Sequence, residues 1–137
     1  ILKNNMNKII KKYIRCFMEI NKKNIDSLIE CVDENFLFED SFNIIKGKKE
    51  YHYLLNDLIR KVISPKFEIK NCTQDKDTFF IKWKFSGIYK KKFSFDGMSE
   101  IKILKNKVIQ HIDYWDSGKN FYCKLPIIGS LFRRFHY

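Results

Sequence analysis

The sequence predicts an α+β fold, in which three N-terminal helices pack on a strongly curved mixed or antiparallel sheet and a short C-terminal helix and tail follow. Apolar residues recur every three or four positions as far as residue 62, which is typical of amphipathic helices. From residue 66 onward they alternate with polar residues, which is typical of strands. The chain has 137 residues, 45% of them apolar, with five Gly and two Pro. This size and composition fit one compact domain spanning residues 1–137.

The predicted helices occupy the first half of the chain. The first helix, roughly residues 4–22, has one apolar face, which is formed by Met6, Ile10, Tyr13, Phe17 and Ile20. Asn24 is expected to cap the second helix, which ends at residues 33–35. Gly47 opens the third helix. Pro65 terminates it, because the residue before a proline disfavours helical geometry.

The predicted strands supply most of the second half. They lie over residues 36–40, from residue 66 to a turn at 75–77, around residues 79–86, over 93–104 and over 108–115. Gly97 lies inside one of them and suggests a bulge or a bend. A short helix is expected at about residues 119–125, followed by an apolar tail with a basic end at 127–135. A curved sheet wrapped on a long helix encloses a cone, and its wide end can hold a pocket.

The net charge of +11 raises the question of nucleic-acid binding. The cations are 23 Lys and only 4 Arg, and the chain contains no Ala. This usage favours residues with A/T-rich codons, so a biased genome explains the charge more simply than selection for phosphate contacts. Arg binds bases and phosphates better than Lys, because its guanidinium group can donate two parallel hydrogen bonds. The basic clusters of this chain are also short. We therefore predict no specific nucleic-acid partner.

Other whole-chain features indicate a cytoplasmic protein without a membrane partner. No apolar run approaches the roughly 18–20 residues that a membrane span needs, and Lys and Arg interrupt the first twenty residues, unlike a signal peptide. The four cysteines form no CxxC pair and are interpreted as free thiols of a reducing compartment. The three histidines are scattered, so neither a metal nor a cofactor is assigned.

The candidate chemistry lies in polar residues that interrupt apolar strand faces. Asp40 shares a face with Phe36 and Phe38, and burial of a carboxyl raises its pKa toward the range of a general base. On the last strand, Ile109, His111, Asp113 and Trp115 share a face, so His111 and Asp113 could form an acid–base pair. Periodicity does not decide which face points inward. In the alternative interpretation, Asp40 caps the following loop and His111 and Asp113 make only a structural contact.

Three segments resemble a known family. Asn24-Ile25-Asp26 followed by Phe38-Glu39-Asp40-Ser41, the final strand Lys107 to Asp116, and the tail Leu125 to Leu131 are similar to the SnoaL-like branch of the nuclear transport factor 2-like (NTF2-like) superfamily. The final strand and the tail are similar to those of uncharacterised bacterial members. The superfamily includes ketosteroid isomerases, polyketide cyclases and limonene epoxide hydrolases. The likeness covers nearly the whole chain and implies an NTF2-like cone, but one fold hosts many chemistries.

The resemblance implies which side chains face the pocket. Asp40 falls on the catalytic aspartate position of ketosteroid isomerases, and His111 and Asp113 fall on pocket positions. The expected pocket lining is Tyr13, Cys16, Phe17, Phe38, Trp83, Ser99 and Trp115. Cys16 and Ser99 stand where the isomerase has its two oxyanion donors, so a classical 3-ketosteroid isomerase is not expected. Epoxide hydrolases need an Arg among their central strands, and this chain has none there.

The resulting functional prediction is cofactor-free proton transfer next to a carbonyl of a small hydrophobic substrate, of the isomerase or cyclase type. Asp40, His111 and Asp113 are the predicted catalytic residues. Two alternatives stay open, a non-catalytic binding module for a hydrophobic metabolite and a protein-interaction adaptor that uses the basic tail. The expected partners are a small hydrophobic molecule and a second copy of the chain, with a homodimer formed through the sheet.

Overall fold

The computed structural model describes residues 6–116. Within that range, three helices and six strands follow one another as α1 (Lys8–Met18), α2 (Lys22–Glu30), β1 (Val32–Glu39), β2 (Ile44–Lys46), α3 (Lys48–Lys61), β3 (Ile63–Asp75), β4 (Thr78–Tyr89), β5 (Lys91–Leu104) and β6 (Lys107–Trp115). The expected helix at residues 119–125 and the tail at 127–135 lie outside the described residues. None of the helices within residues 6–116 is long and apolar enough to cross a membrane.

Side-chain caps define where the first two helices begin. Asn7 caps α1, because its side chain accepts the backbone N–H groups of Ile9 and Ile10. The expected cap of α2 was wrong: Asn21 holds that position and accepts the N–H of Asn24, which lies in the first turn. Both residues are asparagines, so composition alone did not distinguish them.

The third helix begins where the sequence predicted. Gly47 precedes α3 with φ +90°, a conformation that favours glycine. The second helix ends earlier than expected, at Glu30, and the segment predicted to end it, residues 33–35, already belongs to β1. The three-residue strand β2 was not predicted, because so short a run carries no periodicity.

The six strands form one mixed sheet in the order β2-β1-β6-β5-β4-β3. The single parallel pair is β1 with β6, and the other neighbours are antiparallel. The parallel pair places Phe38 beside His111 and so brings the end of β1 next to the polar part of β6. The three helices pack on this sheet, and the fold is the predicted α+β cone.

A bulge on β6 changes which residues face the core. Lys102 pairs with Gln110, but the next residue of β5, Ile103, pairs with Val108, so Ile109 is an extra residue on β6. Val108 is therefore fully buried, whereas Ile109, which the alternation placed on the face of His111, is only partly buried. Strict alternation fails at this point because an inserted residue reverses the faces.

Gly97 serves a different purpose from the bulge or bend that was expected. It pairs in regular register with Trp83 on β4 and with Trp115 on β6. A Cβ atom at this position would lie 2.2 Å from the Trp83 ring. The glycine therefore lets the indole lie flat against the backbone of β5.

Candidate functional site

Two narrow cavities lie between the concave face of the sheet and the helices. We call them the Asp40 cavity, of about 40 Å³, and the His111 cavity, of about 20 Å³. Phe17, Phe67, Trp83 and Asp113 line both. By the same measure a water molecule needs roughly 10–15 Å³. The volumes therefore suit a ligand group of a few heavy atoms, and a polycyclic substrate would require the walls to rearrange.

The walls of the Asp40 cavity are aromatic. Its lining consists of eight rings, three leucines and two carboxyl groups, namely Phe17, Phe38, Tyr51, Phe67, Trp83, Phe85, Phe95, Trp115, Leu54, Leu55, Leu58, Asp40 and Asp113. No Lys, Arg or His lines it among residues 6–116. Asp40 and Asp113 are thus the charged groups of an otherwise apolar chamber.

A chain of buried hydrogen bonds connects α3 to β6 along the cavity walls. The hydroxyl groups of Tyr51 and Tyr13 lie 2.6 Å apart, and the Tyr13 hydroxyl lies 2.6 Å from Nδ1 of His111. On the other side of the ring, Nε2 of His111 lies 2.6 Å from Oδ1 of Asp113. His111 is buried and Asp113 is 16% exposed.

Ser99 and Trp83 complete this arrangement. The indole N–H of Trp83 donates to Oγ of Ser99 over 2.8 Å, and the Ser99 hydroxyl donates to Oδ1 of Asp113. Nε2 of His111 is also 3.1 Å from the Ser99 oxygen. Oδ1 of Asp113 is therefore the acceptor on which the network converges, whereas Oδ2 accepts no hydrogen bond from any residue in 6–116.

The partners assign the protons of the network. A carboxylate only accepts, so Nε2 of His111 carries the proton that it donates to Asp113, and Nδ1 accepts from Tyr13. The Tyr13 oxygen in turn accepts the hydroxyl proton of Tyr51. Burial raises the pKa of Tyr13 and of Tyr51 well above the usual value of 10, so both hydroxyl groups keep their protons. Every hydroxyl and ring N–H of the network is therefore already donating within it.

Asp40 immediately follows β1 and has a local structural role. Its Oδ1 accepts the backbone N–H groups of Phe42 at 2.8 Å and Asn43 at 2.7 Å. The amide Nδ2 of Asn43 lies 3.1 Å from Oδ1 and 3.2 Å from Oδ2. The loop-capping alternative is therefore realised, and the same carboxyl group also lines the cavity.

The environment of Asp40 favours its protonated form. Burial raises the pKa of this carboxyl from 3.8 to about 6. The hydrogen bonds from Phe42 and Asn43 act in the opposite direction, and the negative charge of Asp113 adds to the increase. A carboxyl with this pKa is mostly ionised at pH 7 and is a stronger base than an exposed aspartate.

The structure brings most of the predicted site residues together. Phe17, Phe38, Trp83 and Trp115 line the Asp40 cavity, and Ser99 lines the His111 cavity. Asp40 and His111 line different cavities, and Asp113 lines both. Tyr13 lines neither cavity, and its hydroxyl group contacts Nδ1 of His111.

Cys16 was wrongly predicted to line the pocket. It is buried on the side of α1 that faces α2, beside a surface groove that Asn24 and Ser27 also line. Tyr13 lies almost one helical turn earlier, and it is the α1 residue that reaches the polar network. The lining residue predicted on α1 was therefore displaced by about one helical turn.

The polar role of Tyr51 was missed. Tyr51 lies on the apolar face of α3, and its ring is fully buried against Phe36 and Phe38. Nothing in the sequence connected its hydroxyl group to Tyr13, which lies 38 positions earlier. Within residues 6–116, no group of three or more His, Cys, Asp or Glu side chains could hold a metal ion.

With this geometry established, comparison with known proteins identifies the family. Residues 10–111 match the family model of the SnoaL-like domain. The chain belongs to the SnoaL-like family. No curated protein sequence matches it.

Solved structures share the fold of this SnoaL-like chain at low sequence identity. A protein from Catenulispora acidiphila with a ketosteroid isomerase-like fold, in complex with trimethylamine, is 11% identical, with a TM-score of 0.71 over 82% of this chain and 88% of that one. A proposed polyketide cyclase from Sinorhizobium meliloti is 16% identical (TM-score 0.69, coverage 80% and 95%). An LEH-like epoxide hydrolase from M. tuberculosis is 14% identical (TM-score 0.72, coverage 91% and 88%). These likenesses establish the NTF2-like fold and leave the activity open.

Proposed function

We propose that this SnoaL-like protein binds a small molecule in the Asp40 cavity and that Asp40 transfers a proton to or from it without a cofactor. The observation that supports this is a partly buried carboxyl with a pKa of about 6 in an aromatic chamber. Such a base removes protons near neutral pH and returns them readily, which a proton-transfer cycle requires. The reaction class is proton transfer next to a carbonyl group, as in isomerases and cyclases.

The other polar residues would hold Asp113 in place and set the charge of the cavity. His111, held by Tyr13, fixes Asp113 through Oδ1, and Asp113 sets the charge that the substrate meets. The network offers few donors for an enolate oxygen, because its hydroxyl and N–H groups are already in use. The indole N–H of Trp115 has no hydrogen-bond partner among residues 6–116 and is the neutral donor that remains on this lining.

A proton-exchange experiment tests the proposal. Acetone and cyclohexanone in D₂O are incubated with the protein, and the loss of C–H signals next to the carbonyl is followed by NMR. We expect catalysed exchange that falls by about 10²–10⁴-fold in Asp40→Asn. The matched control is Asp96→Asn, an exposed carboxyl on β5, which should leave exchange unchanged. Equal exchange in wild type and Asp40→Asn, or no exchange above buffer, would contradict the proposal.

Binding without turnover is the second candidate. It is favoured by the scarcity of donors for an oxyanion, since losing one such donor typically costs about 10²–10³ in rate. The trimethylamine complex of the C. acidiphila protein is consistent with a ligand of a few heavy atoms in this fold. A ligand recovered unchanged after long incubation, with no isotope exchange, would support this candidate. The adaptor hypothesis depends on the tail, which lies outside the described residues.

We also propose a cytoplasmic homodimer formed through the outer face of the sheet. Met98 and Tyr114 are neighbours on that face and are 42% and 53% exposed. Apolar side chains of this size favour association when they lie on one broad surface. Sedimentation analysis of Met98→Glu against wild type tests this: a monomeric variant is expected, and an unchanged mass would contradict the proposed face.

A further inference from the structure

We infer that the Asp40 cavity takes a small organic ammonium group, which pairs with Asp113 and Asp40 and packs against the surrounding rings. This inference rests on the proposed function to the extent that it uses the same cavity as the ligand site. It adds the charge class of the ligand, and it holds whether or not turnover follows.

The hydrogen-bonding capacity of the cavity is the first reason. The polar side chains that line it offer acceptors, because Trp83 donates to Ser99 and the hydroxyl of Tyr51 donates to Tyr13. Oδ2 of Asp113 accepts no hydrogen bond within residues 6–116, and Oδ2 of Asp40 has one partner, Nδ2 of Asn43 at 3.2 Å. Two carboxyl groups on a lining whose remaining neutral donor is the Trp115 indole call for a ligand that donates hydrogen bonds or carries positive charge.

The charge of the cavity is the second reason. Its described lining contains two carboxyl groups and no Lys, Arg or His, so no side chain there neutralises them. His111 and Ser99 contact Asp113 through Oδ1, and Oδ2 has no partner among residues 6–116. The repulsion between Asp113 and Asp40 also raises the pKa of Asp40. A bound cation would remove this repulsion and stabilise both charges at once.

The aromatic walls are the third reason. The faces of Trp, Tyr and Phe rings attract ammonium groups, most strongly where water is excluded. The lining includes both tryptophans of the chain, Trp83 and Trp115, together with Phe38 and Phe95. A cavity of about 40 Å³ suits a methylated ammonium group better than a long apolar chain. Anionic or apolar ligands would contact the rings but would leave Oδ2 of Asp113 without a donor.

This assignment suggests how proton transfer could proceed with few oxyanion donors. An ammonium group close to a carbonyl stabilises negative charge that develops on the oxygen or the neighbouring carbon. A substrate with both groups would place its cation on Asp113 and its reacting C–H near Asp40. The positive charge that oxyanion donors supply in other enzymes would then come from the substrate itself.

The test compares two ligands of nearly equal shape. Choline and 3,3-dimethylbutan-1-ol differ by the exchange of a quaternary nitrogen for a carbon, so only the first carries charge. Titrations are followed on the two indole N–H signals in ¹H–¹⁵N NMR spectra, which report directly on Trp83 and Trp115. We expect choline to shift both signals and to bind at least tenfold more tightly than the alcohol. The net charge of +11 disfavours non-specific attraction of choline to the surface.

Variants locate the charge that is responsible. Asp113→Asn and Asp40→Asn should each weaken choline binding at least tenfold and leave the alcohol unaffected, whereas Asp96→Asn should change neither. Equal affinity of the two ligands, or no binding of choline to the wild type, would overturn the inference without any variant having to fold. Isotope exchange is a separate measurement, so choline binding without exchange refutes the proposed proton transfer and keeps the ammonium site. Isotope exchange of ketones without choline binding refutes the ammonium site and keeps the proposed proton transfer.

Discussion

Asp40→Asn should stabilise the protein at pH 7.5 and destabilise it at pH 4. A pKa raised from 3.8 to about 6 in the folded state means that the ionised form of Asp40 opposes folding by ~3 kcal/mol. This cost is fully present above pH 6 and disappears as the pH falls toward 4, because the folded state binds the proton more tightly than the unfolded state. An asparagine, which is never charged, avoids the cost at every pH.

The amide of the variant also loses the hydrogen bond that Oδ2 of Asp40 accepts from Asn43. Oδ1 of Asn can still accept the N–H groups of Phe42 and Asn43, but the amide nitrogen replaces Oδ2 opposite Nδ2 of Asn43. Two facing donors in place of a hydrogen bond cost about 1 kcal/mol. We therefore expect the variant to be ~2 kcal/mol more stable than wild type at pH 7.5 and ~0.5 kcal/mol less stable at pH 4, where a small part of the ionisation cost still remains.

Urea unfolding followed by tryptophan fluorescence measures both values. Other carboxyl groups titrate in both proteins, so the difference between variant and wild type isolates Asp40. Asp96→Asn is the control and should differ little from wild type at either pH. A difference that does not change with pH, or a variant less stable than wild type at pH 7.5, would refute the assignment of Asp40 as a buried carboxyl with a raised pKa.

Four further variants test the fold and the hydrogen-bond network by urea unfolding. Gly97→Ala should cost about 3 kcal/mol, since its Cβ would fall within 2.2 Å of an indole ring; a cost below 1 kcal/mol would contradict the packing. Tyr13→Phe should cost about 2–4 kcal/mol, because it leaves both Nδ1 of His111 and the hydroxyl of Tyr51 unpaired, whereas Tyr51→Phe should cost only about 1 kcal/mol; the opposite order would contradict the position of Tyr13 between these two partners. Asn21→Ala should cost about 1 kcal/mol as the loss of a helix cap, and no change would argue against this cap.

The sequence predicted the helices and the long strands, because their periodicity extends over many residues. It did not predict features that depend on one residue or on distant partners. Asn21 and Asn24 are equally good caps, and their choice depends on where the chain leaves α1. The extra residue at Ile109 is visible only through its partner strand. The parallel pairing of β1 with β6 joins segments about 70 residues apart.

Most residues of the candidate site were predictable from the sequence, but the hydrogen bonds that join them were less so. The spacing of His111 and Asp113 on one strand correctly predicted that they contact each other. The sequence did not predict that Tyr51 would orient His111 through Tyr13, since hydroxyl groups on apolar helix faces give no signal of their partners. The pocket proved to be narrow, because large aromatic side chains such as Trp83 fill the cone that the fold encloses.

The charge of the whole chain and the charge of the cavity act on a ligand in opposite directions. The net charge of +11 attracts anions to the surface, but salt screens such attraction beyond roughly 8–10 Å. Inside the Asp40 cavity the carboxylates of Asp113 and Asp40 are screened far less, and they repel the anions that the surface collects. At the proposed site, ligand choice would therefore be determined by contacts within the cavity. For the same reason, the lysine-rich composition does not indicate what this protein binds.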